Sequence, residues 1–220
     1  MKSVRTPLYS KIISQLSKGA YGQYQLRRAA RQSPCKIIIG ARGGSQAGWT
    51  SSEFEVLNPL EPSHWIAYFQ PESIDAMMAE HVWEHLSWED GVEAARNCHD
   101  FLKPGGYLRI AVPDGNHPNR EYIKWVEPNG NGPGGDDHKI LFDYRQLRNL
   151  FEIAGFRVDL LEYFDEYGHF HYRDWNPEGG RIYRSRLYDK RNVSGRLVYT
   201  SIILDALKPT RFRPAAISAA

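Results

Sequence analysis

Hydrophobic residues in this chain fall into short continuous runs and helical stripes that alternate along the sequence. Lys36-Ile37-Ile38-Ile39 is a compact apolar run closed by Gly40-Ala41-Arg42-Gly43-Gly44, the pattern of a buried parallel strand feeding a tight turn. Glu53 to Leu57 alternates weakly up to Asn58-Pro59 and predicts a second strand, with Trp65 to Phe69 a further short element. Ile74 to Ala79 predicts the next strand. Ser87 with Asp90 then makes a capping-box-like start to a helix that runs to Leu102, with Val92, Ala95, Cys98 and Leu102 on one face. Pro104-Gly105-Gly106 stops that helix, and Tyr107 to Val112 predicts a strand. Phe142 to Ala154 reads as a helix capped by Gly155, Phe156 to Tyr163 as a strand, and Leu197 to Ala206 as the last strand.

This alternation predicts an α/β fold: a Rossmann-like, doubly wound, mostly parallel sheet of about seven strands, with an antiparallel edge strand and N-terminal helices. Residues 36–209 form the domain, and residues 1–35 a helical extension before it. Residues 210–220 form a tail. Two excursions interrupt the pattern. Residues 115–139 are rich in Gly, Pro and Asn and predict a long functional loop, and residues 164–197 are rich in Tyr, His, Arg and Asp.

Composition narrows the class. At 220 residues and 41% hydrophobic, the chain supports one buried core. Cys35 and Cys98 share no motif spacing, which points to a reducing, cytoplasmic setting rather than a disulfide framework. No stretch approaches the roughly 20 apolar residues of a membrane helix, and the N-terminal segment lacks the apolar core of a secretory signal. Charge is uneven: no acidic residue precedes Glu53, whereas Lys2, Arg5, Lys11, Lys18, Arg27, Arg28, Arg31, Lys36 and Arg42 do. Such a leader suits an organellar transit segment, an arm for an acidic partner, or an amphipathic helix packed beside the sheet. Tyr9, Ile12, Ile13 and Leu16 at helical spacing favour the last, with Gly19 and Gly22 expected to break or bend the helix. The basic residues form no recognisable nucleic-acid readout motif.

Candidate chemistry gathers after the predicted strands. His81-Val82-Trp83-Glu84-His85 has the H-x-x-E-H spacing of inverted zinc peptidases. That chemistry needs both histidines and the glutamate on one helix. Here His81 follows an apolar strand directly and the capped helix begins near Ser87, so the match spans a strand end and a turn. No metal ligand set is assigned, and a zinc hydrolase remains a minor alternative. The turn from Gly40 fits neither a G-x-G-x-x-G fingerprint nor a phosphate loop.

Taken in order, these pieces resemble a class I S-adenosylmethionine-dependent methyltransferase, and more narrowly a bacterial predicted methyltransferase group of unassigned substrate. They are the strand with Gly40-Ala41-Arg42-Gly43-Gly44, Gly48-Trp49 and Glu53, then His81 to Leu86, then Leu102 to Gly106 with Pro113-Asp114, and last Phe151 to Phe156. The narrower likeness adds Asp136 to Lys139 and the late run from Arg184-Ser185 to Asn192. The resemblance implies S-adenosylmethionine as cofactor. Gly40, Ala41, Arg42 and Gly44 would surround its methionine part near a helix start. Glu53 would accept from the ribose hydroxyls, with Glu55 in reserve, and Glu80 and His81 would face the sulfonium side. The family's usual acidic residue and second glycine are replaced by Ile38 and Arg42.

Methyl transfer to an oxygen or nitrogen of a small-molecule acceptor is the implied reaction. His138 is the first candidate base and His117 the second, with His169 and His171 behind them. Tyr163, Phe164, Phe170, Tyr172 and Trp175 either wall the acceptor site or pack over the sheet. A homodimer joined through residues 164–197 belongs to the same reading. So does its counter-reading, a methyltransferase-like module that has lost catalysis and only binds.

Overall fold

The computed structural model describes residues 8–210, with side chains from residue 19 onward. The first seven residues, the stripe of Tyr9, Ile12, Ile13 and Leu16, and the tail from residue 211 lie outside the described residues. Seven strands form one sheet: β1 (Lys36–Ile39), β2 (Thr50–Ser51), β3 (Ile74–Glu80), β4 (Leu102–Pro113), β5 (Arg157–Phe164), β6 (Phe170–Tyr172) and β7 (Ser201–Leu207). Their spatial order is β2-β1-β3-β4-β7-β5-β6. β2, β1, β3 and β4 are mutually parallel, β7 is inserted antiparallel between β4 and β5, and β6 closes the edge antiparallel to β5. The antiparallel edge is therefore a β5–β6 hairpin, and the last strand of the chain is internal. Its burial explains why it reads as a nearly unbroken apolar run.

Strand alternation sorts the core into two faces. Ile37, Ile39, Met77, Ala79, Leu108, Ile110, Val112, Leu160, Ile202 and Leu204 point to one side. There they meet Leu26 and Ala29 of α1 (Leu8–Ala29), Trp65 of α2 (Pro62–Ile66), the apolar faces of α3 (Trp88–Phe101) and α5 (Tyr144–Ile153), and Trp83. Ile38, Ala76, Met78, Ala111, Leu161 and Ile203 point to the other side, where the cluster holds no helical residue. It is closed by Trp49, Trp175 and Ile182, with residues 173–192 forming an irregular strap across it. Arg109, buried on this face, pairs in two-pronged fashion with Asp205 and donates to the carbonyls of Asn176 and Gly180. Such a fork fixes loop backbone that no sheet or helix ladder would hold. Gly180, at φ 106°, lets the strap lie flat: a Cβ there would meet the sulfur of Met78 at 3.1 Å.

Local signals account for the helix ends. The Ser87 hydroxyl accepts from the Asp90 amide at the start of α3, and Asp143 and Gln146 form a reciprocal capping box on α5. Several elements depart from the pattern: β4 starts at Leu102 rather than Tyr107, and β6 forms within the excursion read from residue 164 to 197. The second strand is Thr50–Ser51, while Glu53 to Leu57 fold into turns through the Glu53 carbonyl, because Val56 and Leu57 are buried toward the helices. Residues 115–139 contain α4 (Arg120–Val126), started by the Asn119 side chain and anchored by Tyr122 and Val126. α1 runs unbroken through Gly19 and Gly22. Gly22 faces Val56 so closely that a Cβ would stand 2.9 Å from its methyl, so glycine serves the packing there.

Candidate active site

A cavity of about 480 Å³ opens at the carboxyl ends of β1 and β3, the place where open α/β sheets receive ligands. Its floor is Ile38 to Arg42, Gly44 to Gln46 and Met78, with Glu80 and His81 on one side and Tyr183, Arg184, Tyr188, Asp189 and Lys190 of the strap above. The residues expected around a cofactor, Gly40, Ala41, Arg42, Gly44, Glu80 and His81, all line it. Glu53 does not. Its carboxylate accepts from the Arg42 and Gly43 amides at 3.1 and 2.7 Å, knitting the turn from beneath.

That turn differs from the expected one in a second way. No helix begins after β1, and residues 40–49 form a loop. The Ala41 and Gly44 amides are also taken, by the carbonyls of Ser52 and Ala41. With the Ala41 to Gly44 amides engaged, side chains carry much of the polar lining: Arg42, Arg184 and Lys190 supply positive charge and Tyr183 and Tyr188 flat apolar surface, while the Asp189 carboxylate is paired with Arg191. Gly40 is required at φ 64°, where a Cβ would strike Val82 at 2.8 Å.

The strap is tied to this turn. Glu80 accepts from the Tyr183 amide at 3.0 Å and the Arg184 amide at 2.8 Å, with the Arg184 guanidinium at 3.4 Å. The Gln46 amide pairs both ways with the backbone of Arg181. Asn192 takes the Val198 and Tyr199 amides and donates to the Tyr199 carbonyl, returning the chain to β7.

Next to the cavity, where β3 ends and a short 3-10 turn spans Trp83–His85, four titratable side chains converge. His81 Nδ1 is 3.3 Å from Glu84 Oε1 and its Nε2 is 3.0 Å from the Ser201 hydroxyl. His138 Nε2 lies 3.9 Å from the same Glu84 oxygen, and the His85 and His138 rings stand 4.8 Å apart. Burial, and then the nearby Arg184, hold His81 well below the usual imidazole range. Burial pushes Glu84 up to about 8. The H-x-x-E-H spacing thus straddles a strand end and a turn and forms no helical zinc motif. Sequence reasoning did not foresee that His138 would close on Glu84 from the loop before α5.

Neither expected base lines the cavity. His138 is buried, with Nδ1 donating to the Val126 carbonyl at 2.7 Å. His117 is buried between Tyr122, stacked at 4.0 Å, and Phe164, and burial lowers it to about 4. His169 and His171 flank Asp165 at the β5–β6 edge. Of the expected aromatic wall, Trp175 packs on the second face and Tyr163 and Phe164 belong to the sheet.

A family model described as a methyltransferase domain matches residues 28–161. No protein with a curated description matches the chain. Among solved structures, a methyltransferase dependent on S-adenosylmethionine (SAM) from Archaeoglobus fulgidus is similar at 15% identity, covering 92% of this chain and 100% of that one, with a TM-score of 0.45. A SAM-dependent methyltransferase from Thermotoga maritima matches at 15% identity over 91% and 96%, also with a TM-score of 0.45. Phosphoethanolamine N-methyltransferase 2 from Haemonchus contortus, in complex with S-adenosyl-L-methionine, matches at 11% over 80% of this chain and 48% of that one, with a TM-score of 0.44.

Proposed function

We propose, on the premise that this chain belongs to the methyltransferase domain family and is thus an S-adenosylmethionine-dependent enzyme, that it methylates an oxygen or nitrogen of a small-molecule acceptor. The observation that carries the reading is the cavity walled by the Gly40–Gly44 turn, the end of β3 and the strap. Its volume lies in the range of small-ligand sites. Its lining offers cations for a carboxylate and tyrosine rings for a base, which fit those two parts of this cofactor, while the Glu80 and Asp189 carboxylates are engaged by the strap and by Arg191.

S-adenosylmethionine, when bound, supplies a methyl group activated on a sulfonium. The chain's part is to hold, align and dry the site. Arg42 and Lys190 orient an anionic group at the turn. Glu80 does its work by clamping Tyr183 and Arg184, which keeps the strap closed over the cavity. Among the described residues His81 is the imidazole on the cavity wall, and its Nδ1 faces Glu84. Its Nε2 meets the Ser201 hydroxyl, so both ring nitrogens are engaged, and methyl transfer at this site relies on alignment rather than on a resident base.

Calorimetric titration with S-adenosylmethionine tests the reading. Saturable binding at one site per chain is expected, together with its loss in Gly40→Val, which forces a branched side chain into a left-handed position against Val82. An absence of binding by the native chain would overturn it in favour of a non-catalytic module.

A further inference from the structure

Glu84 is fully buried, and neither of its carboxylate oxygens has a hydrogen-bond partner among the described residues. A buried carboxylate in that state is strongly unfavourable unless a proton or a cation neutralises it. Its surroundings are built for the second. Donor atoms of Glu84, His85 and His138 all lie within 4.8 Å of one another. Ligands about 2.0–2.2 Å from one tetrahedral ion stand about 3.3–3.6 Å apart, so the widest pair must draw in by about 1 Å, a side-chain rotation rather than a backbone movement.

The imidazoles are also oriented for ligation. His138 donates from Nδ1 to the Val126 carbonyl, and His85 Nδ1 lies 3.3 Å from both the carbonyl and the carboxylate of Asp137. Each ring nitrogen that faces an acceptor must carry the proton. The lone pair is left on Nε2, the arrangement seen when an outer acceptor fixes a metal-bound histidine. Two cations reach Glu84 by their field alone: Arg184, already paired with Glu80, and Arg42 of the cavity lining; neither bonds to it, and Asp137 adds negative charge on the outer side of the cluster.

We propose that Glu84, His85 and His138 bind one divalent cation of the zinc class, with His81 beside Glu84, its Nδ1 3.3 Å from Oε1, at the boundary between this site and the cavity. Two imidazoles and one carboxylate select zinc, cobalt or nickel over magnesium and calcium, which prefer all-oxygen shells. Three protein donors leave a position open for water or for an oxygen of a bound molecule. This assignment replaces the sequence-based expectation of no metal ligands. The linear motif is broken across a turn, and the missing donor comes from residue 138.

The test uses the full chain stripped with a chelator and titrated calorimetrically with Zn²⁺, with Mg²⁺ as the hard-cation comparison. One equivalent of Zn²⁺ should bind, with no saturable Mg²⁺ binding. Glu84→Gln and His138→Gln should each weaken Zn²⁺ at least about ten-fold. Co²⁺ added to the native chain should give visible absorption bands that Zn²⁺ displaces, a readout that needs no variant to fold. Absence of saturable Zn²⁺ binding and of Co²⁺ bands in the native chain would overturn the site, as would native affinity in both variants. S-adenosylmethionine binding is titrated separately on the same stripped protein, so its failure would count against the cofactor reading alone.

Discussion

Glu80 and Glu84 leave the same strand end within one turn of each other, and their carboxylates meet opposite fates. Glu80 receives two backbone amides and a guanidinium from the strap. Glu84 is more deeply buried and receives none among the described residues. Hydrogen-bonded and solvated at its margin, Glu80 repays its desolvation and holds structure together. Glu84 does not, so the fold tolerates it against its own stability, and tolerated cost at a cleft is a mark of function. The difference also separates two corners of the site. The glycine-turn cavity is internally satisfied and closed by its own strap, while the histidine corner is left with open valence.

Breaking the satisfied side should have the largest effect. Glu80→Ala removes two charge-assisted bonds to the Tyr183 and Arg184 amides, and is expected to lower unfolding free energy in urea by about 4 kcal/mol. It should also weaken S-adenosylmethionine binding by freeing the strap. A variant of native stability would show that the strap is held elsewhere.

His117 is a second buried orphan, its Nε2 without a partner among the described residues. It offers a pH-dependent version of the contrast. Its folded pKa is about 4, below the ordinary 6.5, so the unfolded chain binds more protons between those values. Its contribution is fully present above pH 6.5 and is lost as pH falls toward 4, by up to about 3 kcal/mol. His117→Phe, which keeps the stack on Tyr122, should flatten this part of the stability profile in urea titrations at several pH values. An unchanged slope would assign the acid sensitivity to other groups.

Glu84→Met should act with the opposite sign to Glu80→Ala. Replacing an unpaired buried carboxyl by an apolar side chain of similar volume is expected to raise metal-free stability by about 2 kcal/mol. A loss of that size instead would mean that Glu84 is paired, and the contrast between the two carboxylates would fall. The smallest effect is reserved for Asp143→Ala, a paired carboxylate remote from the cavity. It should remove the α5 cap at about 1 kcal/mol and leave cofactor titrations unchanged, which separates loss of a paired carboxylate as such from loss of the strap clamp.

Legibility followed the range of the forces involved. β3, α3 and α5 could be read almost to their ends, because burial periodicity and caps such as Ser87 and Asp143 act within a few residues. β2 was misplaced, since a two-residue pairing of Thr50 and Ser51 beside β1 leaves no hydrophobic pattern. α4 hides in Gly-, Pro- and Asn-rich chain and depends on Tyr122, whose hydroxyl bridges the Asp114 amide and the Thr200 carbonyl. In the site, the lining by Gly40, Ala41, Arg42, Gly44, Glu80 and His81 was legible because strand ends and glycine turns announce themselves. The inward turn of Glu53 was not, because it depended on which of several amides the loop would offer.

From the sequence alone follow the central strands, α3 and α5 with their ends, and the glycine turn that opens the cavity, all written in short-range pattern. The tertiary structure alone decided that β7 slides between β4 and β5, that residues 173–192 roof the second face, and that His138 reaches Glu84. Those outcomes depend on groups distant in the chain competing for the same buried space and the same few hydrogen-bonding partners, a competition that no local pattern records.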